Sequence, residues 1–282
     1  MGNPRKFAGN LFVYGVLSLA AAAAVFPFFW ITCVAIRPIT ETYKTPITIL
    51  PHALTLENFD QVLTKLPNMA TFYQNSLIIT GVTVLCVVLI SGLAGYTFGR
   101  LKFPGRNLLF WAVLFSMFLP ITIGLPALYE MEAKFRLLNS LQGLIMPYIS
   151  MQLAVNVLIM RGVFAAIPQD LEDAAIIDGC SQWGVFRRIM MPLGASGLVT
   201  VAIFTFVPVW GEYLLASTFV DSADVMPLAV GIKLLQSSPA TAEWTFPVAA
   251  AAALITFIPA ALIFIVLQKW FTKGLMEGAL KF

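Results

Sequence analysis

The groups in this chain that could do chemistry fall in three places. Asp170, Glu172, Asp173 and Asp178 crowd together and are followed by Arg187 and Arg188. Glu212 stands between Trp210 and Tyr213. Gln152 and Asn156 are four residues apart, which puts both on one face of a helix, where they could hydrogen-bond a hydroxyl or each other's neighbours. Clustered carboxylates act as general acid and base, or hold a metal, only beside a nucleophile, an activated water or further ligands. The sequence offers none: the single histidine, His52, has no partner motif, and Cys33, Cys86 and Cys180 lie far apart with no CxxC or Cys/His spacing. It also has no GxxxxGK[ST] phosphate loop, so the chain is not expected to bind and hydrolyse ATP by itself. The acids 170–178 read as a solvated or docked face. Neither an enzyme nor a cofactor or metal site is expected.

The elements that must position these groups are set by an apolar composition. Of 282 residues 59% are hydrophobic and 11% charged, where soluble domains carry about 25% charged residues. The mean hydropathy is +0.87. A helix needs roughly 20 mainly apolar residues to cross the hydrocarbon core. Six segments qualify, at about 11–36, 75–99, 107–129, 140–164, 195–219 and 247–270, and the whole chain reads as one transmembrane domain, 1–282. The first run follows Arg5 and Lys6 as a signal peptide would, but it exceeds a signal peptide's apolar core, so a retained first span is expected. An even number of spans puts both termini on one side. That side holds eleven of the 17 lysines and arginines, which places it in the cytoplasm. The loop 220–246 then faces outward, with Asp221, Asp224 and Glu243 against Lys233. A net charge of +3 gives no reason to expect nucleic acid as a partner.

Pro27, Pro120, Pro126, Pro147, Pro208 and Pro259 fall in every span but the second. Each removes an amide donor and favours a kink, as a bundle built around a path would need. The second span instead carries Ser91, Gly95 and Gly99 at four-residue intervals, a small-residue stripe that admits a close helix neighbour.

The charged cluster sits in the cytoplasmic connection 165–194 and reads as two short helices. Pro168 suits a helix start, and Asp170, Glu172 and Asp173 complement the dipole of the first turn. Leu171, Ala174 and Ala175 make one narrow face, and Gly179 frees the backbone to stop. Ser181 caps a second helix with Trp183, Phe186 and Met190 on a stripe, and Pro192 is expected to end it. Such helices are too short to stand alone in water and need a surface, either lipid headgroups facing the arginines or a cytoplasmic partner.

This segment resembles the EAA loop of bacterial ABC-importer permeases, whose pattern is Glu-Ala-Ala, three residues, Gly, nine residues, then Ile-x-Leu-Pro. In that register stand Asp173-Ala174-Ala175, Gly179, Ile189 and Met191-Pro192, with Asp in place of Glu, Met in place of Leu, and Glu172 sharing the first acidic role. Nearly the whole chain is similar to the maltose-type carbohydrate branch. Asn75-Ser76 opens the second span as in that group, and Gly95-Tyr96 with Arg100, Phe103, Gly105 and Arg106 resembles its signature. Leu138-Asn139-Ser140 with Gly143 and Pro147-Tyr148 resembles the start of its fourth span, and Trp210-Gly211-Glu212-Tyr213 its Trp-Asn-Glu element, with Gly for Asn. Gln268-Lys269, Gly274 and Gly278 to Lys281 resemble its terminal pattern, Phe282 replacing the usual Gly.

The resemblance implies an all-α, six-helix permease of the type I ABC-importer fold, multi-pass in the bacterial inner membrane, moving a sugar or sugar derivative by alternating access. It implies a homologous permease as heterodimer partner, two ATPase subunits that carry ATP and magnesium, and an extracytoplasmic solute-binding protein. Glu172, Asp173, Ala174, Ala175, Asp178, Gly179, Phe186, Arg187, Ile189 and Pro192 would form the ATPase-docking loop. Gln152, Asn156, Trp210, Glu212 and Tyr213 would line the path, since a sugar presents hydroxyls at its edge and C–H groups on its face. Hydrogen bonding between helices remains open for Gln152 and Asn156, as does a cap or ion pair for Glu212. Relatives also carry non-sugar solutes such as glycerol-phosphate. A self-sufficient secondary transporter would show internal repeats and mid-membrane acid–base pairs, which are not evident here.

Overall fold

In hydrocarbon each backbone N–H and C=O must be satisfied within its own segment, so runs this apolar are driven into helices. The computed structural model describes residues 4–46, 48–237 and 245–279, the side chains of 4–8, 234–237 and 270–279 excepted. Its helices are α1 (Pro4–Ala35), α2 (Ile39–Thr42), α3 (Glu57–Lys65), α4 (Met69–Arg100), α5 (Arg106–Phe115), α6 (Ile121–Lys134), α7 (Leu141–Ala165), α8 (Asp170–Ile177), α9 (Gln182–Val185), α10 (Met191–Leu193), α11 (Ala195–Trp210), α12 (Leu214–Phe219), α13 (Leu228–Ser237) and α14 (Phe246–Ala279). The stretches Gly9–Ala35, Met69–Arg100, Leu141–Ala165 and Phe246–Lys269 are long and apolar enough to cross a membrane unbroken. No strand occurs among the described residues.

Two compact units divide the chain. One comprises Met1–Pro67 with Leu234–Ile258. Here the segment after α1 folds back on the end of that helix. Arg37 is buried and donates to the carbonyls of Thr48 (2.6 Å) and Ile49 (3.1 Å). Asn58 Nδ2 donates to the carbonyls of Ala35 and Arg37, both at 2.8 Å, satisfying oxygens that a helix C-terminus leaves open. Glu41 accepts from the amides of His52 (2.9 Å) and Ala53 (3.4 Å). The His52 amide foremost holds the Glu41 carboxyl below the usual carboxylate range.

The other unit comprises Asn68–Lys233 with Pro259–Phe282, and its centre is the pair α4 and α7. The small-residue stripe on α4 is what brings them together. A methyl group at Gly95 would lie 2.8 Å from the Met160 carbonyl carbon, and one at Gly99 3.2 Å from the Arg161 carbonyl oxygen. α11 closes on α7 in the same way at Gly197, where a methyl group would meet the Val163 side chain at 2.7 Å. Val87, Tyr96, Met160, Phe164 and Val201 are buried between these helices.

Two of the expected spans are broken. The third is α5 followed by a short 3₁₀ turn (Ser116–Phe118), and this arm meets α6 at 100°. The break is at Leu119–Pro120, where Leu119 takes the extended backbone (φ −85, ψ 112) imposed on a residue before proline. In the fifth, α11 stops at Trp210 and the chain resumes as α12. Pro27, Pro126, Pro147, Pro208 and Pro259 sit inside continuous helices, so of the six span prolines Pro120 is the one at a break.

Candidate functional site

The charged connection folds as its residues require. α8 begins at Asp170 with Asp170, Glu172 and Asp173 in its first turn, and Gly179 follows at φ +84, a backbone state that side-chain-bearing residues rarely adopt. Ser181 Oγ accepts from the Gly184 amide at 3.2 Å and caps α9. Pro192 does not end the second helix. α9 widens into a π turn over Phe186–Met190 and continues through Pro192 as α10, and the 73° bend to α11 comes at Gly194. The wide turn fits a proline, which offers no amide to an i−4 carbonyl and presses its ring against that carbonyl. Gly194 is needed at the bend because a methyl group there would lie 2.7 Å from the Phe164 ring.

One face of this segment is locked onto α4 and α7. Arg100 Nε donates to Glu172 Oε1 at 2.6 Å and Arg100 Nη2 to the Ile167 carbonyl at 2.7 Å. The Tyr96 hydroxyl donates to Gln182 Oε1 at 3.1 Å. Phe186 is buried against the rings of Tyr96 (5.2 Å) and Phe164 (6.5 Å), and Ala175, Val185 and Met190 are buried beside it. Arg100 and Glu172 keep only 11% and 13% of their side-chain surface, so removing either strands a largely desolvated charge, a change that typically costs about 3–5 kcal/mol. Glu172 is therefore turned inward, not outward.

The opposite face is open. Leu171, Asp173, Ala174, Ile176, Asp178, Trp183, Arg187 and Arg188 are exposed around Gly179, with Ile177 85% and Trp183 60% accessible. The narrow face expected of Leu171, Ala174 and Ala175 splits, since Ala175 alone packs inward. The stripe of Trp183, Phe186 and Met190 splits too: Trp183 lies over Phe186 at 5.3 Å but stays outside, while Ile189 is half-buried and Pro192 exposed. The result is an apolar patch edged by acids and arginines.

Several polar residues of the spans bond to neighbouring helices, although Asn156 Oδ1 and Thr83 Oγ1 are buried without a partner. Glu212 Oε1 accepts from the Leu215 amide (2.9 Å) and Oε2 from the Ala216 amide (3.1 Å), so the carboxylate caps α12. Its Oε2 also accepts from the Tyr148 hydroxyl at 2.6 Å, tying α12 to α7. Asn156, fully buried, donates to the Gln152 carbonyl (2.7 Å) and to Thr205 Oγ1 (3.2 Å), which bridges α7 and α11. Trp210 is buried, stacked on Phe206 at 5.5 Å. Gln152 is half-buried and Tyr213 43% accessible. No group of three or more His, Cys, Asp or Glu residues that could hold a metal occurs among the described residues.

Residues 15–277 match the family described as binding-protein-dependent transport system inner membrane component. The chain belongs to this family. It is 34% identical over 275 residues to the sulfoquinovosyl glycerol transport system permease protein of Agrobacterium fabrum, covering 98% of this chain and 95% of the relative. It is 32% identical to the trehalose transport system permease protein of Mycobacterium tuberculosis, with 94% and 95% covered, and 32% to the arabinooligosaccharides transport system permease protein of Halalkalibacterium halodurans, with 93% and 92% covered. A chain of a bacterial ABC transporter involved in the import of the acidic polysaccharide alginate shares its fold, with a TM-score of 0.80 at 19% identity over 96% of this chain and 99% of that one. The protein is thus an all-helical, non-catalytic membrane subunit of an ABC transport system.

Some of the permease's structural residues were visible in the sequence only as motifs without a role. Asn75 Nδ2 donates to the carbonyls of Asp224 (2.9 Å) and Met226 (3.0 Å), and Ser76 Oγ accepts from the Leu228 amide at 2.8 Å. Asn139, in the left-handed region at φ 54, accepts through Oδ1 from the amides of Asp221 (2.6 Å) and Ser222 (3.0 Å). These asparagines fasten the segment 221–228 across more than eighty residues of chain, a pairing no local pattern announces. Glu132 is 2% accessible on α6, with Oε2 unpaired, and nothing in its sequence neighbourhood marks it as buried. Of the terminal pattern, 280–282 lie outside the described residues, as does Glu243 of the loop 220–246.

Proposed function

We propose that this permease is one half of the membrane pore of an importer for a sugar or sugar derivative. It pairs with a homologous permease, receives solute from an extracytoplasmic binding protein, and is driven by two ATPase subunits that carry ATP and magnesium. The named relatives support the substrate class, since their solutes are a sulfosugar glycoside, a disaccharide and pentose oligomers. The six segments of the sequence serve as the spans, with both termini and the 165–194 connection in the cytoplasm, an assignment supported by the lysine and arginine bias.

The observation that carries the mechanism is the two-faced 170–192 segment. Its inner face is bound to α4 and α7, while Leu171, Ile176, Ile177 and Trp183 are left open around Gly179. An apolar patch with a charged rim suits a protein cleft, whose apolar floor covers the patch and whose polar edge meets Asp173, Asp178 and Arg187. On this reading Asp173, Ala174, Asp178, Gly179, Arg187 and Pro192 touch the ATPase, whereas Glu172, Ala175, Phe186 and Ile189 hold the segment to its own permease. Closure of the ATPase dimer moves the segment, and the helices bound to it follow. Among the path candidates, Asn156, Trp210 and Glu212 order the helices, which leaves Gln152 and Tyr213 to face solute.

The test is to replace Cys33, Cys86 and Cys180, introduce Ile177→Cys, and treat the purified complex with a reagent that couples to the thiol at one end and is photoactivated at the other. A cross-link to the ATPase is the expected result; labelling of Ile177→Cys from outside the cell, or no cross-link in an assembled complex, sinks the reading. A sugar panel presented to the companion binding protein then identifies the solute.

A further inference from the structure

Polar side chains at opposite ends of α4 hold two distant segments. At its C-terminal end, Arg100 bonds Glu172 and the Ile167 carbonyl, and Tyr96 bonds Gln182. At its N-terminal end, Asn75 bonds the Asp224 and Met226 carbonyls, and Ser76 the Leu228 amide. Between Ser76 and Arg100 the helix rises about 36 Å at 1.5 Å per residue. Over that distance it contains no proline, in contrast with α1, α6, α7, α11 and α14. An unbroken helix with a complete i→i−4 ladder moves as a rigid body, and a proline is the usual place where it would bend.

The connectivity makes these contacts informative. α7 leads through the chain itself into the 170–192 segment, but α4 reaches it only through side chains, as it reaches 224–228. We infer that α4 is the strut that couples the two mouths of the permease, with Arg100, Tyr96, Asn75 and Ser76 as the positioning residues that fasten it to the docking segment at one end and to the 224–228 segment at the other. The inference rests on the docking reading above, because it takes motion of the 170–192 segment as the input. Motion of that segment is delivered to α4 through a short charge-assisted bond, the Tyr96–Gln182 bond and the packing of Phe186 on Tyr96. It emerges as a displacement of Asp224–Leu228, so that the outer segment moves with the ATPase and not independently of it.

The experiment uses the complete reconstituted transporter and reads solute imported per ATP hydrolysed. Arg100→Glu and Glu172→Arg should each lower that ratio by roughly tenfold, within the range of measured coupling between distant sites. The double swap restores the ion pair with its polarity reversed but not the bond to the Ile167 carbonyl, and should recover part of the loss. Asn75→Leu, similar in volume but without the donor, should lower the ratio alone yet add little to Arg100→Glu, since a strut released at one end transmits nothing further. Ratios unchanged in the single variants, a double swap as impaired as the product of its parts, or fully additive losses from Asn75→Leu and Arg100→Glu would each overturn the strut. Where a charge variant fails to assemble, Tyr96→Phe and Ser76→Ala, each deleting one oxygen, take its place under the same criteria. Cross-linking from Ile177→Cys in the same preparations separates the two readings. A cross-link with an unchanged ratio overturns the strut alone, and no cross-link in the otherwise native chain overturns docking and the strut together.

Discussion

At Gly179 the backbone sits at φ +84 with nothing within 4 Å of where a Cβ would be, so a substitution there meets conformational strain and no clash. A left-handed backbone costs an ordinary residue about 1–2 kcal/mol, and asparagine tolerates it better than most. Gly179→Val should therefore weaken ATPase retention during purification by several-fold, whereas Gly179→Asn stays near the parent. Equal retention by both would remove the turn from the docking mechanism. At Glu41 the linkage runs toward acid. Its folded carboxyl lies below the usual range, so the order it lends the 37–53 segment is complete above the ordinary carboxylate pKa and fades as pH falls through the lowered one. Proteolysis within 37–53 should accelerate below about pH 4 in the parent chain but vary little with pH in Glu41→Gln. The EAA register cannot say which of two adjacent acids faces in; Arg100, seventy-two residues away, binds Glu172 and leaves Asp173 exposed.

For the elements, close approach and burial set the sizes of effect. α4 meets the α7 backbone at Gly95, so Gly95→Ala overpacks the pair and should cost about 1–3 kcal/mol. Gly81, on the same helix, has open space at its Cβ position, and Gly81→Ala should hold or raise the detergent melting temperature. A reversed order would mean that α4 and α7 are not packed through this stripe. Phe186 fills the space between Tyr96 and Phe164, so Phe186→Ala should loosen the whole docking segment at a cost of about 3–5 kcal/mol. Limited proteolysis between 170 and 193 reads this directly. A boundary was legible at Ser181, where the cap marks it locally, but not at Leu119–Pro120, since six span prolines look alike in sequence and one of them stands at a break. Nor was the bend at Gly194 legible, because it depends on the Phe164 ring of a distant helix.

Across the whole molecule, sidedness is the property that function needs and that charge supplies. With Cys33, Cys86 and Cys180 replaced, Ile177→Cys should react with an impermeant thiol reagent only in inside-out vesicles, and Tyr43→Cys only in intact spheroplasts. The opposite pattern would invert the topology and end the docking reading.

Composition and hydropathy determined that this chain is a helical membrane protein, because the backbone has no other partner in hydrocarbon. The 170–192 segment pointed to the transporter family by its resemblance to the EAA loop, and its glycine and serine cap are legible because they are local requirements of one helix–turn–helix. Which polar groups are spent inside was settled only by tertiary structure. Glu212 and the Asn156 amide nitrogen look free for a solute until the Tyr148 hydroxyl and Thr205 Oγ1, sixty-four and forty-nine residues away, engage them, while the Leu215 and Ala216 amides that Glu212 caps are local and Asn156 Oδ1 stays unpaired. Hydrogen-bond capacity is written in the residue; where it is used depends on what the fold brings within bonding distance.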